Sequence, residues 1–408
     1  MISFIQTKID THFHALKHVN FRIFWFGQLI SLIGNWMQTI AMPWLAYSIT
    51  KSPLLLGVVG ALQFTPVLFL SLFVGVFIDR HEKKKIIMIA QTVMMVLSLA
   101  LALLVFTGTV AYWHLLVIAF LQGCANAFEM PTRQSFIIEM VGRDDLMNAI
   151  GLNSAIFNLA RILGPAVAGV LMTTIGTGYC FLFNAFSFIP LITGLYFIKP
   201  LFCSIKESQK NVFREIVDGF RYIASQKTLA RTMVIVLIVG TFIMNFNVMV
   251  PVLAKTALHQ GEAGFGFLMS CMGIGSLCGA LIVAARSKRG PDTGLLFGAG
   301  AITAVLFIAI GLSRWYALTA VLLACAGFLT VMFMTTANST IQLSATDDFR
   351  SRAVSVYFFI NVGSTPVGNV LTGAVSNSFG INVCYIAVGA VVLVCLACFS
   401  AASGLFKK

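Results

Sequence analysis

Apolar runs of about 20 residues recur along the whole chain and are separated by short polar segments. A helix of about that length crosses a hydrocarbon core of about 30 Å. The pattern therefore predicts an all-α membrane protein with twelve transmembrane helices. The predicted spans are 22–47, 53–78, 84–108, 111–132, 147–173, 179–198, 229–254, 262–285, 293–313, 315–340, 350–375 and 380–403.

The charge distribution adds a topology to this pattern. Hydrophobic residues make up 59% of the 408 residues, charged residues only 10%, and the formal net charge is +13. Lys and Arg are concentrated in alternate loops, whereas the opposite loops carry only Lys51, Lys255 and Arg314. By the positive-inside rule both termini are predicted to be cytoplasmic, in a multi-pass protein of the cell inner membrane. The positive charge follows this topology and does not indicate nucleic-acid binding.

The sequence carries little that points to catalysis. The nine cysteines are scattered singly without CxxC spacing, and most lie inside predicted spans, where a cysteine acts as a small apolar packing residue. We therefore expect no disulfide, no metal site and no cofactor. The sequence motifs of metalloproteases, serine hydrolases and P-loop enzymes are absent, so neither enzyme activity nor direct use of ATP is expected.

A long hydrophilic interval divides the chain into two halves. The predicted domains are an N-terminal six-helix bundle (1–199), a cytoplasmic linker with an amphipathic helix (200–228) and a C-terminal six-helix bundle (229–408). The halves can be overlaid so that Cys180 coincides with Cys384, a weak repeat that is typical of parallel-repeat transporters. The linker helix is predicted to lie on the membrane surface, with a solvated helix as the alternative.

Polar side chains are concentrated on particular spans and share faces of those helices. Span one carries Gln28, Ser31, Asn35 and Gln38 along one stripe, whereas spans three, six, nine and twelve are comparatively bare. Polar groups inside a bilayer need partners or water, so we expect the polar spans to enclose a solvated pathway. For any single residue the alternative is a hydrogen bond between helices, worth about 0.6 kcal/mol. The residues predicted to line the pathway are Asn35, Gln38, Gln63, Gln122, Asn126, Asn158, Arg161, Phe242, Asn245, Phe246, Asn338, Tyr357 and Asn361.

One charged residue, Arg161, lies near the middle of a span. A central arginine costs about 2.5–3.5 kcal/mol on insertion scales, so it needs a counter-charge, water or an anionic ligand. Glu129 of span four is the predicted partner. Two interpretations remain open: a fixed bridge that holds spans four and five together, or a pair that the substrate or a proton can open.

The loop between spans two and three reads GVFIDRHEKKK. It resembles the signature loop of the major facilitator superfamily, Gly-x-x-x-Asp-Arg-x-Gly-Arg-Lys, although Glu82 replaces the second glycine. The resemblance implies two six-helix bundles, alternating access, and docking of Asp79 on the start of span eleven. Together with the central arginine and its expected partner, the residues predicted to act in coupling or gating are Asp79, Arg80, Lys83, Lys84, Glu129 and Arg161.

Two longer segments resemble a narrower group. NFRIFWFGQLISLIGNWMQTIAMPWLAYSIT and EMPTRQSFIIEMVGRDDLMNAIGLNSAIFNLARILGPAVAGVL are similar to the transmembrane secretion effector branch, which contains the enterobactin exporter and macrolide efflux proteins. This resemblance implies a secondary active exporter of a small amphipathic molecule such as a siderophore, acting as a monomer in the lipid bilayer. Proton coupling is left open because Ala119 and Asn35 stand where many antiporters carry charged residues. Multidrug or macrolide efflux, a lysolipid flippase and a non-transporting membrane sensor are the alternatives.

Overall fold

The computed structural model describes residues 13–202, 212–286 and 293–403. These residues form α-helices joined by short connections, with one 3₁₀ turn, His14–Lys17, and one π-helical turn, Leu253–Ala257. The α-helices of the first half are α1 (Val19–Thr50), α2 (Pro53–Arg80), α3 (Lys83–Phe106), α4 (Tyr112–Val141), α5 (Leu146–Thr174) and α6 (Thr177–Phe197). Those that follow are α7 (Val212–Ser225), α8 (Lys227–Phe242), α9 (Phe246–Val252), α10 (Glu262–Arg286), α11 (Thr293–Leu312), α12 (Tyr316–Ser344), α13 (Asp347–Phe379) and α14 (Ile381–Ser403).

Eleven segments of the described chain are long and apolar enough to cross a membrane, with Lys227–Ala257 counted as one segment. The remaining long helix is α1, which has 32 residues and corresponds to the first predicted span. Its interior polar residues, among them Gln28 and Gln38, lower its mean hydropathy. The all-helical membrane fold is thus confirmed, and α1 is the span that composition alone identifies least clearly.

The chain forms two compact units. The first contains Met1–Ala41 and Phe69–Gln209, and the second contains Met42–Leu68 and Lys210–Lys408. The second unit therefore includes the last part of α1 and the first part of α2. The division of the sequence into domains at 1–199, 200–228 and 229–408 stays a prediction.

In the first unit, α3 packs between α4 and α6, and α5 packs on α6. One apolar core joins the start of α1 to α4, where the rings of Phe24 and Phe136 meet edge to face at 6.0 Å. The segment before α1 is attached to α5, because the backbone N–H of Ala15 donates to Asn148 Oδ1 at 3.0 Å and His18 Nε2 lies 2.7 Å from Asp145 Oδ2.

In the second unit, α10 packs on α12, α11 on α14 and α8 on α13. Small residues allow the closest approaches: Gly275 of α10 lies against the backbone of Ala324, and Gly57 of α2 lies against the carbonyl of Asn369 in α13. Such contacts are how membrane helices pack tightly without a hydrophobic driving force between them.

The predicted repeat has a structural counterpart at its two cysteines. Cys180 and Cys384 are free thiols and fully buried. Each lies near the start of the last helix of its half and donates to a carbonyl twelve residues earlier, Ala168 at 3.8 Å and Thr372 at 3.4 Å. The same packing arrangement therefore accounts for both cysteines.

The linker helix α7 packs against other helices of the second unit. Gly219 lies against Arg352 and Val356 of α13, and the ring of Tyr222 stacks on Phe349 at 4.4 Å. Ile223 is 5% exposed. One face of α7 is thus occupied by protein, whereas Val217 and Phe220 remain exposed. The position of this helix on the membrane surface stays a prediction.

Candidate functional site

The signature loop after α2 separates into exposed and buried charges. Asp79 and Arg80 are exposed at the end of α2. Lys83, at the start of α3, is 4% exposed, and its Nζ lies 2.6 Å from Glu139 Oε1. Lys84 Nζ donates to the carbonyl of Ile198 at 2.7 Å, just past the C-terminus of α6, where a positive charge is favourable. Both lysines therefore hold the first unit together, and their gating role stays a prediction.

The structure corrects the predicted partner of Glu129. Its Oε1 lies 3.6 Å from Nε of Arg133, one turn later on α4, and accepts a hydrogen bond of 3.2 Å from Gln91 of α3. Gln91 in turn accepts a bond of 3.3 Å from Ser31 of α1. Residues four apart share a helix face, so the sequence itself offers Arg133 as the nearest cation. The expected bridge from Glu129 to Arg161 is not formed.

Arg161 lies against an aromatic side chain. Its guanidinium carbon is 5.8 Å from the ring centroid of Trp36, and Trp36 also meets Phe157 edge to face at 5.7 Å. Gly164, one turn after Arg161, leaves room for the Trp36 side chain. Nε of Arg161 is buried without a hydrogen-bond partner, and no carboxylate within the described residues lies within 4 Å of the guanidinium. This arginine therefore keeps donors available for a ligand.

Gln38 belongs to a buried polar cluster in the first unit, in which its Oε1 is bonded and its Nε2 has no hydrogen-bond partner. Its Oε1 accepts from Ser98 of α3 at 2.7 Å and from Asn184 of α6 at 2.5 Å. Asn184 also donates to Ser98 at 3.2 Å. Spans three and six are thus not bare, and the prediction that Gln38 lines the pathway is replaced by a structural link between three helices.

The helix of span seven is interrupted, and the interruption accounts for the positions of Asn245 and Phe246, two residues predicted to line the pathway. Residues 243–245 separate α8 from α9, and Asn245, 1% exposed, donates to the carbonyl of Thr241 at 2.7 Å. Asn245 therefore satisfies a carbonyl that the interrupted helix leaves free. Phe246, 6% exposed, points to Phe307 of α11 at 5.6 Å, so it fills the core of the second unit and does not line a pathway.

The break also borders a cavity of about 40 Å³ in the second unit. At about 10–15 Å³ for each water position, it has room for two to four waters or a small chemical group. Its polar lining comes from Gln63 of α2, Asn247 of α9, and Thr365 and Asn369 of α13. Met42, Pro43, Leu56, Val59, Gly60, Phe64, Met244 and Val248 supply the apolar lining. No charged side chain contributes, so the cavity suits an uncharged group that forms hydrogen bonds.

The other predicted pathway residues occupy mixed positions. Asn158 donates to the carbonyl of Ser154 on its own helix at 2.9 Å, and Asn338 accepts from Gln342 at 2.9 Å. Tyr357 is 3% exposed, and its hydroxyl donates to the carbonyl of Met334 at 3.3 Å. Gln122 is buried, and the half-buried residues are Asn35, Asn126, Phe242 and Asn361.

Three polar residues of the cavity, Asn247, Thr365 and Asn369, are not among those predicted from the sequence. Asn369 follows Gly368 of the predicted polar stripe on span eleven, and Asn247 lies two residues after Asn245. On an unbroken helix Asn247 would face away from Asn245, because adjacent helical positions are about 100° apart. Asn247 could have been predicted only from a sequence signal that the helix is interrupted at residues 243–245.

Comparisons with known proteins agree with this architecture. Residues 10–404 match the family described as transmembrane secretion effector. The staphyloferrin A transporter of Staphylococcus aureus is 22% identical over 371 residues, which cover 88% of this chain and 90% of that protein. The multidrug efflux pump Tap of Mycolicibacterium fortuitum is 25% identical over 373 residues, 89% of this chain and 90% of the pump. Macrolide efflux protein A of Streptococcus pyogenes is 20% identical over 267 residues, 65% of this chain and 66% of that protein.

Solved transporter structures share the fold. A bacterial homolog of the human lysosomal transporter Spinster superimposes with a TM-score of 0.76 at 14% identity, covering 96% of this chain and 97% of that one. The nucleoside transporter NupG superimposes with a TM-score of 0.77 at 11% identity, covering 95% and 99%. These relatives and structural neighbours are transporters rather than enzymes. The chain belongs to the transmembrane secretion effector family and is a multi-pass membrane transporter of the major facilitator type.

Proposed function

We propose that this transporter exports a small amphipathic molecule from the cytoplasm by alternating access, with both termini cytoplasmic in the inner membrane. The observation that carries the proposal is Arg161, a charged side chain in a span whose buried Nε has no partner. Keeping an unpaired cation at that depth is costly, and an anionic substrate group would offset the cost. The efflux proteins among its relatives support the direction of transport.

A siderophore-like substrate with an aromatic or anionic chelating group fits the surroundings of Arg161 best. The guanidinium presents several donors in a fixed fork that matches carboxylate or catecholate oxygens. Trp36 and Phe157 provide flat apolar surfaces beside it. The resemblance to the staphyloferrin A transporter supports this substrate class.

Drug or macrolide efflux is the second candidate, and the cavity of the second unit favours it. Met42, Met244 and Phe64 line that cavity beside uncharged carboxamides. Methionine side chains adapt their shape to different ligands, a property of surfaces that bind many compounds. A neutral substrate would place one small hydrogen-bonding group in this cavity of about 40 Å³ and would not require Arg161.

Metabolite profiling of the growth medium separates these candidates. Media from wild-type cells, a deletion strain and the deletion strain complemented with variants would be compared under iron limitation. We expect an iron chelator that is depleted from the deletion strain's medium, is restored by the wild-type gene and falls about tenfold with Arg161→Lys. A hydrogen bond to a charged group contributes about 1.5–3 kcal/mol, and because lysine keeps the charge and one donor we expect a loss near the lower end of that range, about tenfold.

Arg143→Lys is the matched control, because Arg143 is exposed after α4. It should leave the exported compound unchanged. Normal export by Arg161→Met would contradict the role of the arginine. A deletion strain that loses only drug resistance would select the second candidate, and movement of labelled lysolipid by the reconstituted protein would indicate a flippase.

A further inference from the structure

The last turns of α1 carry an aromatic and hydroxyl surface. Trp44, Tyr47 and Ser48 are spaced by three and four residues, so they share one face of the helix. Trp44 is 3% exposed and Tyr47 is 6% exposed. This part of α1 belongs to the second unit, and the residues that cover its aromatic face come from the segment between α9 and α10 and from α10 itself.

Lys255 is the centre of that contact. It lies in the π-helical turn Leu253–Ala257, a rare helix type that is frequent at functional sites. Its Nζ donates to Ser48 Oγ at 3.1 Å and lies 5.1 Å from the ring centroid of Trp44 and 5.7 Å from that of Tyr47. Both rings are within the distance at which a cation is attracted to an aromatic face.

Trp44 is fixed from its other side by α10. Its Nε1 donates to Glu262 Oε1 at 2.9 Å, and its ring stacks on Phe265 at 5.3 Å with an interplanar angle of 16°. The end of α1 is therefore attached at two places, by Lys255 and by the start of α10. We call the set Trp44, Tyr47, Ser48, Lys255 and Glu262 the clasp.

The bonds of the clasp are of a kind that can open repeatedly. Within the described residues no carboxylate lies within 4 Å of Lys255 Nζ, so its charge is held by a hydroxyl and two rings. Water can replace these contacts when the ammonium moves, whereas a fully buried ion pair leaves an uncompensated charge when it separates. Lys255 is half-buried, so water has access to it.

The clasp adjoins the uncharged cavity along two chain segments. Met42 and Pro43 of the cavity directly precede Trp44 on α1, and Val248 of the cavity lies on α9, which runs into the π-helical turn of Lys255. Displacement of the end of α1 from Lys255 would therefore uncover the cavity at the side on which the clasp lies. By the charge pattern of the loops this side is the one opposite the termini.

We propose that the clasp is a reversible closure over the cavity, with Lys255 as the positioning residue that holds it shut. The proposal rests on the alternating-access function proposed above, but its test does not require transport. All nine cysteines would be replaced and Val59→Cys introduced as a reporter in the cavity wall. The measurement is the labelling rate with a charged, membrane-impermeant maleimide, on intact cells and on purified protein.

We expect slow labelling of the reporter when Lys255 is present and about tenfold faster labelling with Lys255→Met or Trp44→Ala. A tenfold change corresponds to a shift of about 1.4 kcal/mol in the closure equilibrium. Lys255→Arg keeps a cation that can contact both rings, so its rate should stay within about twofold of the parent. Because this variant preserves the packing and the charge, it also shows that faster labelling is not caused by misfolding.

Lys51→Met is the matched control, since Lys51 is an exposed lysine just beyond the end of α1. Its labelling rate should equal that of the parent. Equal rates for Lys255→Met and the parent would overturn the proposal, as would an equal acceleration by Lys51→Met. If export fails in every assay while these labelling differences hold, the closure stands and the proposed transport function is the part that is wrong.

Discussion

Removal of a single charged side chain should affect the stability of this transporter differently at buried and exposed sites, and Lys83 is at a buried site. Its pair with Glu139 is 5% and 1% exposed, whereas the pair of Lys85 with Glu82 is 71% and 46% exposed. Removing one partner of a buried ion pair costs about 3–5 kcal/mol. We therefore expect Lys83→Met to lower the thermal unfolding midpoint of the purified protein clearly.

Lys85→Met is the control for this prediction, because an exposed pair contributes only about 0–1 kcal/mol and its loss should barely change the midpoint. The double variant Lys83→Met, Glu139→Gln removes both charges and should recover much of the loss. Equal midpoints for the two single lysine variants would show that the buried pair does not stabilise the first unit.

At the scale of the helix, the break between α8 and α9 depends on a close approach by α13. A Cβ added to Gly368 would meet the carbonyl of Thr241 and lie 2.6 Å from Asn245 Nδ2, the groups that form the break. We expect Gly368→Ala to destabilise the second unit by about 1–3 kcal/mol, the usual cost of overpacking. A lower midpoint in thermal unfolding would report it.

Gly298→Ala in α11 is the matched control, since a Cβ there meets nothing within 4 Å. In a helix alanine is favoured over glycine by about 1 kcal/mol, so this variant should be as stable as the parent or slightly more stable. A stable Gly368→Ala protein would mean that α13 can move away from the break without cost.

For the whole molecule, the sequence predicts where the helices lie in the chain better than it predicts which helices pack against each helix face. Runs of about 20 apolar residues specify membrane helices because length and hydropathy are local properties. Periodicity places Gln38 on the polar stripe of α1, but it cannot show that this part of the stripe meets Ser98 and Asn184 rather than water. That depends on how helices far apart in sequence pack, and polar residues serve both purposes.

The same distinction separates Arg161 from Glu129. The spacing of four residues from Glu129 to Arg133 is a local signal for a pair on one helix face, and the structure forms that pair. The contact of Arg161 with Trp36 joins α5 to α1 and leaves no signal in either segment alone. Sequence therefore identifies Arg161 as unusual, while only the structure shows that its Nε is left without a partner.

Energy coupling is a property of the complete transport cycle, and Glu129 is one of the residues predicted to act in coupling. It faces Arg133 on its own helix and Gln91 of α3, which is bonded to Ser31 of α1. Loss of the negative charge of Glu129 would cancel its attraction to Arg133 and change its bond to Gln91. Glu129→Gln removes that charge, so we expect vesicle flux that no longer accelerates when a pH gradient is imposed, while exchange without a gradient continues. The exposed Glu82→Gln is the control and should respond to the gradient like the parent protein. A full response by Glu129→Gln would assign the coupling to another group.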